Sequence, residues 1–156
     1  MSPFPPSPHM ARAFDEARAA ASRGEVPVGA AIAGRDGALL AAAGNRTREL
    51  TDPTAHAEIL AIRAAAAALG SERLTGCVLF VTLEPCAMCA AAIAHARIAR
   101  LVYGAGDAKS GGVEHGARVF THAQAHHVPE IVSGVGAEAA AGLLTAFFQG
   151  LRRPGP

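Results

Sequence analysis

Tryptophan is absent from this 156-residue chain, tyrosine occurs once and lysine once, at Lys109. The remaining basic residues are arginine. Against 14 basic residues stand 13 acidic ones, a net charge of +1. That balance excludes a protein that coats nucleic acid by bulk charge. Three cysteines cannot build a disulfide framework, and so few point to a reducing compartment. No run approaches the roughly 18 apolar residues of a membrane span. The start, Ser2-Pro3-Phe4-Pro5-Pro6-Ser7-Pro8, lacks the basic and apolar regions of a signal peptide. The expected location is the cytoplasm, with no membrane partner.

What is present is alanine, at 38 residues, while Leu, Ile, Val and Phe together number 34. One modest core is expected, and the length fits a single domain. Four prolines crowd the first eight residues, and proline supports neither a ladder nor a helix interior. Residues 1–9 therefore read as a disordered leader, 10–153 as the domain and 154–156 as a tail.

Met10, Phe14, Ala17 and Ala21 recur at helical spacing before Gly24. Val26 to Gly34 and Leu39 to Gly44 read as strands joined by a hairpin turn at Asp36-Gly37. A helix is expected from Ala55 to Leu69, with Ile59, Ile62, Ala66 and Leu69 on its apolar face. Cys77 to Thr82 is apolar on both sides, as a covered central strand should be. A helix opened by Pro85 and running to Ala96, a strand from Arg100 to Gly104 and a long loop at 105–129 follow. A short strand at Glu130 to Val132 and a helix from about Gly136 close the chain. Strands alternating with helices imply an α/β fold with a mostly parallel sheet, made mixed by the opening hairpin.

Two motifs carry chemistry. His56-Ala57-Glu58 begins one expected helix, and Pro85-Cys86-Ala87-Met88-Cys89 begins another. Cys86 and Cys89 are three apart, so their sulfurs share a helix face. Free N–H groups in a first turn stabilise thiolates. Two thiolates and an imidazole suit Zn²⁺. Residues two apart diverge in mid-helix, but at a helix start His56 and Glu58 can converge. Asp52 or Thr54 would cap that helix, with Pro53 in its first turn. Three ligands leave one position for water, whose pKa zinc lowers to about 7. Glu58 is then the base for the proton of that water and not a ligand.

These motifs together match the zinc-deaminase signature. Further blocks extend the match: Gly24-Glu25-Val26-Pro27-Val28-Gly29-Ala30, Gly44-Asn45-Arg46, Asp52-Pro53-Thr54-Ala55, Thr82-Leu83-Glu84 and Ala96-Arg97-Ile98. From about Met10 to Arg153 the chain resembles the bacterial tRNA-specific adenosine deaminases, within the zinc-dependent cytidine/deoxycytidylate deaminase superfamily. The resemblance implies a cytidine-deaminase-like three-layer α/β/α sandwich with a mixed sheet of about five strands. It implies deamination of adenosine to inosine at the wobble position of an anticodon stem-loop, usually of an arginine tRNA. It places one Zn²⁺ per subunit on His56, Cys86 and Cys89 and proton transfer on Glu58. It places contact with the flipped base on Asn45 and the Ala57 backbone, and it implies a homodimer.

The Gly111-Gly112-Val113-Glu114-His115-Gly116 stretch departs from the family's usual form beside the active site. Arg46, Arg48, Arg97, Lys109, Arg152 and Arg153 form a candidate phosphate patch. Cys77 and Met88 read as core. His95 is a candidate fourth ligand of a closed site but reads better as surface. His122, His126 and His127 read as a solvated or RNA-facing cluster. Phe147 and Phe148 could stack on bases, though adjacent aromatics on a helix usually place one in the core. Two other functions fit the motifs: a deaminase of a free base or nucleoside such as guanine or cytosine, and a non-catalytic zinc-stabilised RNA-binding module. The module predicts a fourth protein ligand and no need for Glu58.

Overall fold

The computed structural model describes residues 7–152. Residues 1–6 of the expected leader, the Arg152 side chain, Arg153 and the 154–156 tail lie outside the described residues. The elements run α1 (Pro8–Ser22), β1 (Gly29–Ala33), β2 (Leu39–Gly44), α2 (Ala57–Leu69), β3 (Val78–Leu83), α3 (Ala87–Ala96), β4 (Arg100–Ala105), β5 (Glu130–Val132) and α4 (Ala137–Arg152). A single 3-10 turn, Val119–Thr121, interrupts the long loop before β5.

The sheet order is β2-β1-β3-β4-β5. β1 is antiparallel to β2 and β3, while β3, β4 and β5 are parallel. Alternation along the strands divides the core in two. Ala30, Ile32, Leu79 and Val81 face α2 and α3, whereas Ala31 and Phe80 face α1. α4 packs beside α1 on that second face, which completes a three-layer α/β/α sandwich with a mixed sheet.

α1 begins at Pro8, so Pro8 and His9 belong to the domain rather than to the leader. Pro8 costs nothing in the first turn, where its N–H would lack a partner, and Ser7 Oγ accepts from the His9 amide at 3.2 Å. The buried stripe of α1 is Met10, Ala13, Ala17 and Ala20, with Phe14 at its border. Its alanines let the helix lie close on the hairpin. At Gly29 an added Cβ would stand 1.9 Å from the Ala13 carbonyl oxygen, and at Gly44 2.6 Å from that of Glu16. Gly29→Ala should therefore destabilise the fold by about 1–3 kcal/mol or more, since backbone must move on both sides. A urea midpoint indistinguishable from that of the parent chain would refute the close packing.

β1 starts at Gly29, later than the expected Val26, because Pro27 has no N–H to give a ladder. The expected apolar face of α2 is corrected. Ala57, Glu58, Ala61 and Ala65 are its buried residues, while Ile59 and Ile62 are half-buried and Leu69 is exposed. Both sides of this helix are apolar, and the small side wins the position against the sheet because it permits the closer approach. Cys77 is buried, as expected, and Met88 is half-buried. No helix among the described residues is long and apolar enough to cross a membrane.

Candidate active site

The site lies past the C-terminal end of β3, where two helices begin. Their caps differ from the sequence expectation. The N-cap of α2 is His56 and that of α3 is Cys86, both in extended backbone with no side-chain cap bond. Asp52 instead accepts from the Thr54 amide and hydroxyl at 2.9 and 2.7 Å, closing the turn before the helix. Pro85 precedes the cap and does not enter the helix. This leaves the first-turn amides free and turns the imidazole and thiol out of the helical spiral. Extended backbone at His56 is what lets it share a site with Glu58 two residues on.

His56 Nδ1 lies 3.6 Å from Cys86 Sγ and 3.5 Å from Cys89 Sγ. These three residues form the one group of His, Cys, Asp or Glu of metal-ligating geometry among the described residues. A tetrahedral Zn²⁺ with Zn–N of about 2.0 Å and Zn–S of about 2.3 Å spaces such donors about 3.5 Å apart. The donor set and its spacing fit zinc. His95 does not join: it is exposed on α3 and packs against the His126 ring at 4.8 Å. His122 and His127 are engaged with the Ala117 and Ile98 carbonyls at 2.6 and 2.7 Å.

Hydrogen bonding from Cys89 and His56 pulls the Cys86 thiol down to about 4, against its burial. Cys89 moves up because its proton is held toward Cys86 and because it is buried. His56 is raised by its bond to Cys86. Burial pushes the Glu58 carboxyl up, and the nearby Cys86 charge pushes the same way; its own backbone amide and His56 oppose. Burial thus favours the protonated form of Glu58 relative to an exposed carboxyl.

A cavity of about 250 Å³ opens onto this group. Val26, Val28, Asn45, His56, Ala57, Glu58, Leu83 and Cys86 line it, so every candidate site residue except the buried Cys89 reaches its wall. The Asn45 side chain has no protein hydrogen bond among the described residues, although Asn45 is 7% exposed. The Ala57 amide, first in α2, has no acceptor within the helix.

Two carboxylates that the sequence reading passed over hold the cavity's walls. Glu25, 1% exposed, accepts from the Arg48 and Glu49 amides at 3.1 and 2.9 Å and so secures the loop after Asn45. Glu84 does the same for the glycine-rich loop at 106–116. The available signal is position: Glu84 is an acid set between β3 and Pro85, and Glu25 one between α1 and Pro27, where an apolar residue would serve the core. Of the candidate phosphate patch, Arg46 pairs with Glu49 and Arg48 reaches the Gly24 carbonyl, both on the loop after Asn45. Lys109 stands exposed between Asp107 and Ser110, which line the cavity. Arg97 does not belong with them. It caps the far end of α3, about 15 Å along the helix from Cys86.

The chain's one tyrosine, Tyr103, is buried and donates its hydroxyl proton to Glu114 on that same loop. Burial and the Glu114 charge raise it above the ordinary value of 10.0. A raised folded value means stability is whole below pH 10 and is lost as pH rises beyond it. With no tryptophan and no second tyrosine, the phenolate band in near-ultraviolet absorbance reports this group alone. Phenolate should appear only above pH 10 and together with unfolding. A reversible titration near 10 in the folded chain would refute the contact.

A family described as the cytidine and deoxycytidylate deaminase zinc-binding region matches residues 6–105. The chain belongs to that family of zinc-dependent deaminases. Within it, the chain is 55% identical over 140 residues to a tRNA-specific adenosine deaminase of Agrobacterium fabrum, covering 90% of this chain and 91% of that one. A second tRNA-specific adenosine deaminase, from Rickettsia bellii, is 46% identical over 144 residues, 92% of this chain and 99% of its own. A solved structure from a study of A-to-I editing by tRNA:A34 deaminases superposes with a TM-score of 0.85 at 55% identity, covering 87% of this chain and 98% of that one. A guanine deaminase from Nitrosomonas europaea superposes with a TM-score of 0.78 at 26% identity, covering 92% and 86%.

Proposed function

We infer that this chain is a zinc-dependent hydrolase that converts adenosine to inosine at the wobble position of a tRNA anticodon. The observation that carries it is the 55% identity, across 90% of the chain, to a tRNA-specific adenosine deaminase. The His56–Cys86–Cys89 group at the floor of a base-sized cavity supports it.

His56, Cys86 and Cys89 hold one zinc per chain. Zinc supplies a Lewis acid that brings the pKa of water to about 7. The target base leaves the anticodon loop and enters the cavity, at lower cost than from a duplex because it is already unpaired. Asn45 and the Ala57 amide hold it edge-on. Glu58 takes a proton from the attacking water and delivers it to ring N1 as the water oxygen bonds to C6. Glu58 then carries the second proton to the exocyclic amine, the C6–N6 bond breaks and ammonia leaves. Water plus adenosine thus yields inosine plus ammonia, with Glu58 restored.

Arg46 and Arg48, which flank the cavity-lining Thr47, and Lys109, between the cavity-lining Asp107 and Ser110, meet the phosphates of the anticodon stem-loop. An arginine tRNA is the expected substrate. Ile59, Ile62 and Ala92 leave a groove of about 560 Å³ between α2 and α3, which a second copy would cover in a homodimer. The enzyme works in the cytoplasm, where its substrate is.

Incubation with anticodon stem-loop RNA, followed by nucleoside analysis, should show inosine at the wobble position. Since a guanine deaminase shares the fold, free guanine and cytosine are assayed alongside. Ammonia from either base with no inosine in the RNA would overturn the reading.

A further inference from the structure

The glycine-rich stretch at 111–116 has no part in the chemistry above, yet it is gathered around one buried group. Glu84 Oε1 accepts from the Asp107 amide at 2.9 Å and from His115 Nδ1 at 2.6 Å. Its Oε2 accepts from the amides of Val113, Glu114 and His115 at 3.1, 2.9 and 3.0 Å. The Glu84 side chain is 0% exposed. A carboxylate offers about four lone-pair sites, so nothing remains for a substrate. All five donors belong to one loop, and none lies in a helix or strand.

The same loop sits directly on the turn that carries Cys86. Gly112 donates its amide to the Pro85 carbonyl at 2.8 Å. A Cβ at Gly112 would lie 2.4 Å from the Ala87 nitrogen, and one at Gly111 2.5 Å from Glu84 Oε2. Glycine is needed at both places because backbone and carboxylate occupy the space. The loop's leading end then enters the cavity. Asp107 Oδ1 accepts from the Lys109 and Ser110 amides at 3.1 and 2.9 Å, and Asp107 and Ser110 line the cavity wall.

We propose that Glu84 is a positioning residue for the RNA substrate: by binding the Asp107 amide it sets the Asp107–Ser110 turn, and with it Lys109, against the anticodon loop. The proposal rests on the tRNA reading. Glu84 acts through the turn, not on the base. A buried acid spent only on stability would be an odd choice, since an apolar residue of similar size often serves as well. Here it selects one conformation for four amides that have no ladder.

The test is steady-state kinetics on anticodon stem-loop RNA with Glu84→Gln and His115→Ala, alongside zinc content and amide hydrogen exchange. Glutamine sets an NH₂ donor against the loop's donors. KM should rise about tenfold or more in Glu84→Gln and several-fold in His115→Ala, with kcat held to within about threefold. Zinc should stay at one per chain, and exchange should quicken at residues 107 and 113–115 but not in β3. Should Glu84→Gln fail to fold, His115→Ala decides, since its ring is half-exposed and supplies one bond of five. An unchanged KM in the variants that fold, or loss of zinc and kcat at constant KM, overturns the proposal. A parent chain that makes no inosine would instead sink the tRNA reading, and the exchange comparison would still report whether Glu84 holds the loop.

Discussion

Glu58→Ala should leave one zinc per chain and remove turnover, by a factor of about 10²–10⁴ or more. The expectation follows from where Glu58 stands. It is 4% exposed at the second position of α2, beside the His56–Cys86–Cys89 group, and is not one of the three donors. Burial raises its carboxyl, so it holds a proton more readily than an exposed glutamate does. Its loss takes away the only proton carrier in the scheme, for N1 and for the leaving amine alike. Glu58→Gln separates charge from volume: it fills the same space and should be as inactive. Single-turnover inosine formation and metal analysis on the same samples settle the matter. Turnover within about tenfold of the parent chain would exclude the role and favour a non-catalytic zinc module. The alternative also asks for a fourth protein ligand, and His95, the residue best placed in sequence to supply it, lies exposed and tilted against the His126 ring.

Removal of zinc should be as damaging, and to stability as well as to rate. Cys89 is fully buried, and Cys86 caps α3 without a side-chain cap bond of its own. A zinc ion held by His56, Cys86 and Cys89 would tie the starts of α2 and α3 together. A ligand present at 1,000 times its Kd stabilises the folded state by about 4 kcal/mol. The chelated chain should lose activity and unfold at a lower urea concentration, and added zinc should restore both. Cys89→Ala should behave like the chelated chain and not respond to zinc. An active Cys89→Ala protein, or a chelated chain of unaltered midpoint, would remove this residue from the ligand set.

Much of this site could be read in the residue order, because its parts are local. The His-x-Glu and Pro-Cys-x-x-Cys motifs each sit in one helix start, where free amides and non-helical backbone are general properties of the terminus. The caps were misplaced by a few residues because Asp52 and Thr54 bond each other across a turn, an arrangement with the same signature as a cap. The partners of Glu84 are not legible in the residue order, for another reason. Its five donors come from residues 107–115, and a sequence does not say which distant amides a buried acid will collect.

Residue order alone determined the element types, the strand–helix alternation and the chemical identity of the donors, since these depend on spacing within one turn or one strand. Tertiary structure decided which side of α2 is buried, that Arg97 lies apart from Arg46 and Arg48, and what holds the glycine-rich loop. Where both faces of a helix are apolar, periodicity has no preference. The choice falls to how closely two backbones can approach, and here alanine and glycine allow an approach that isoleucine would not.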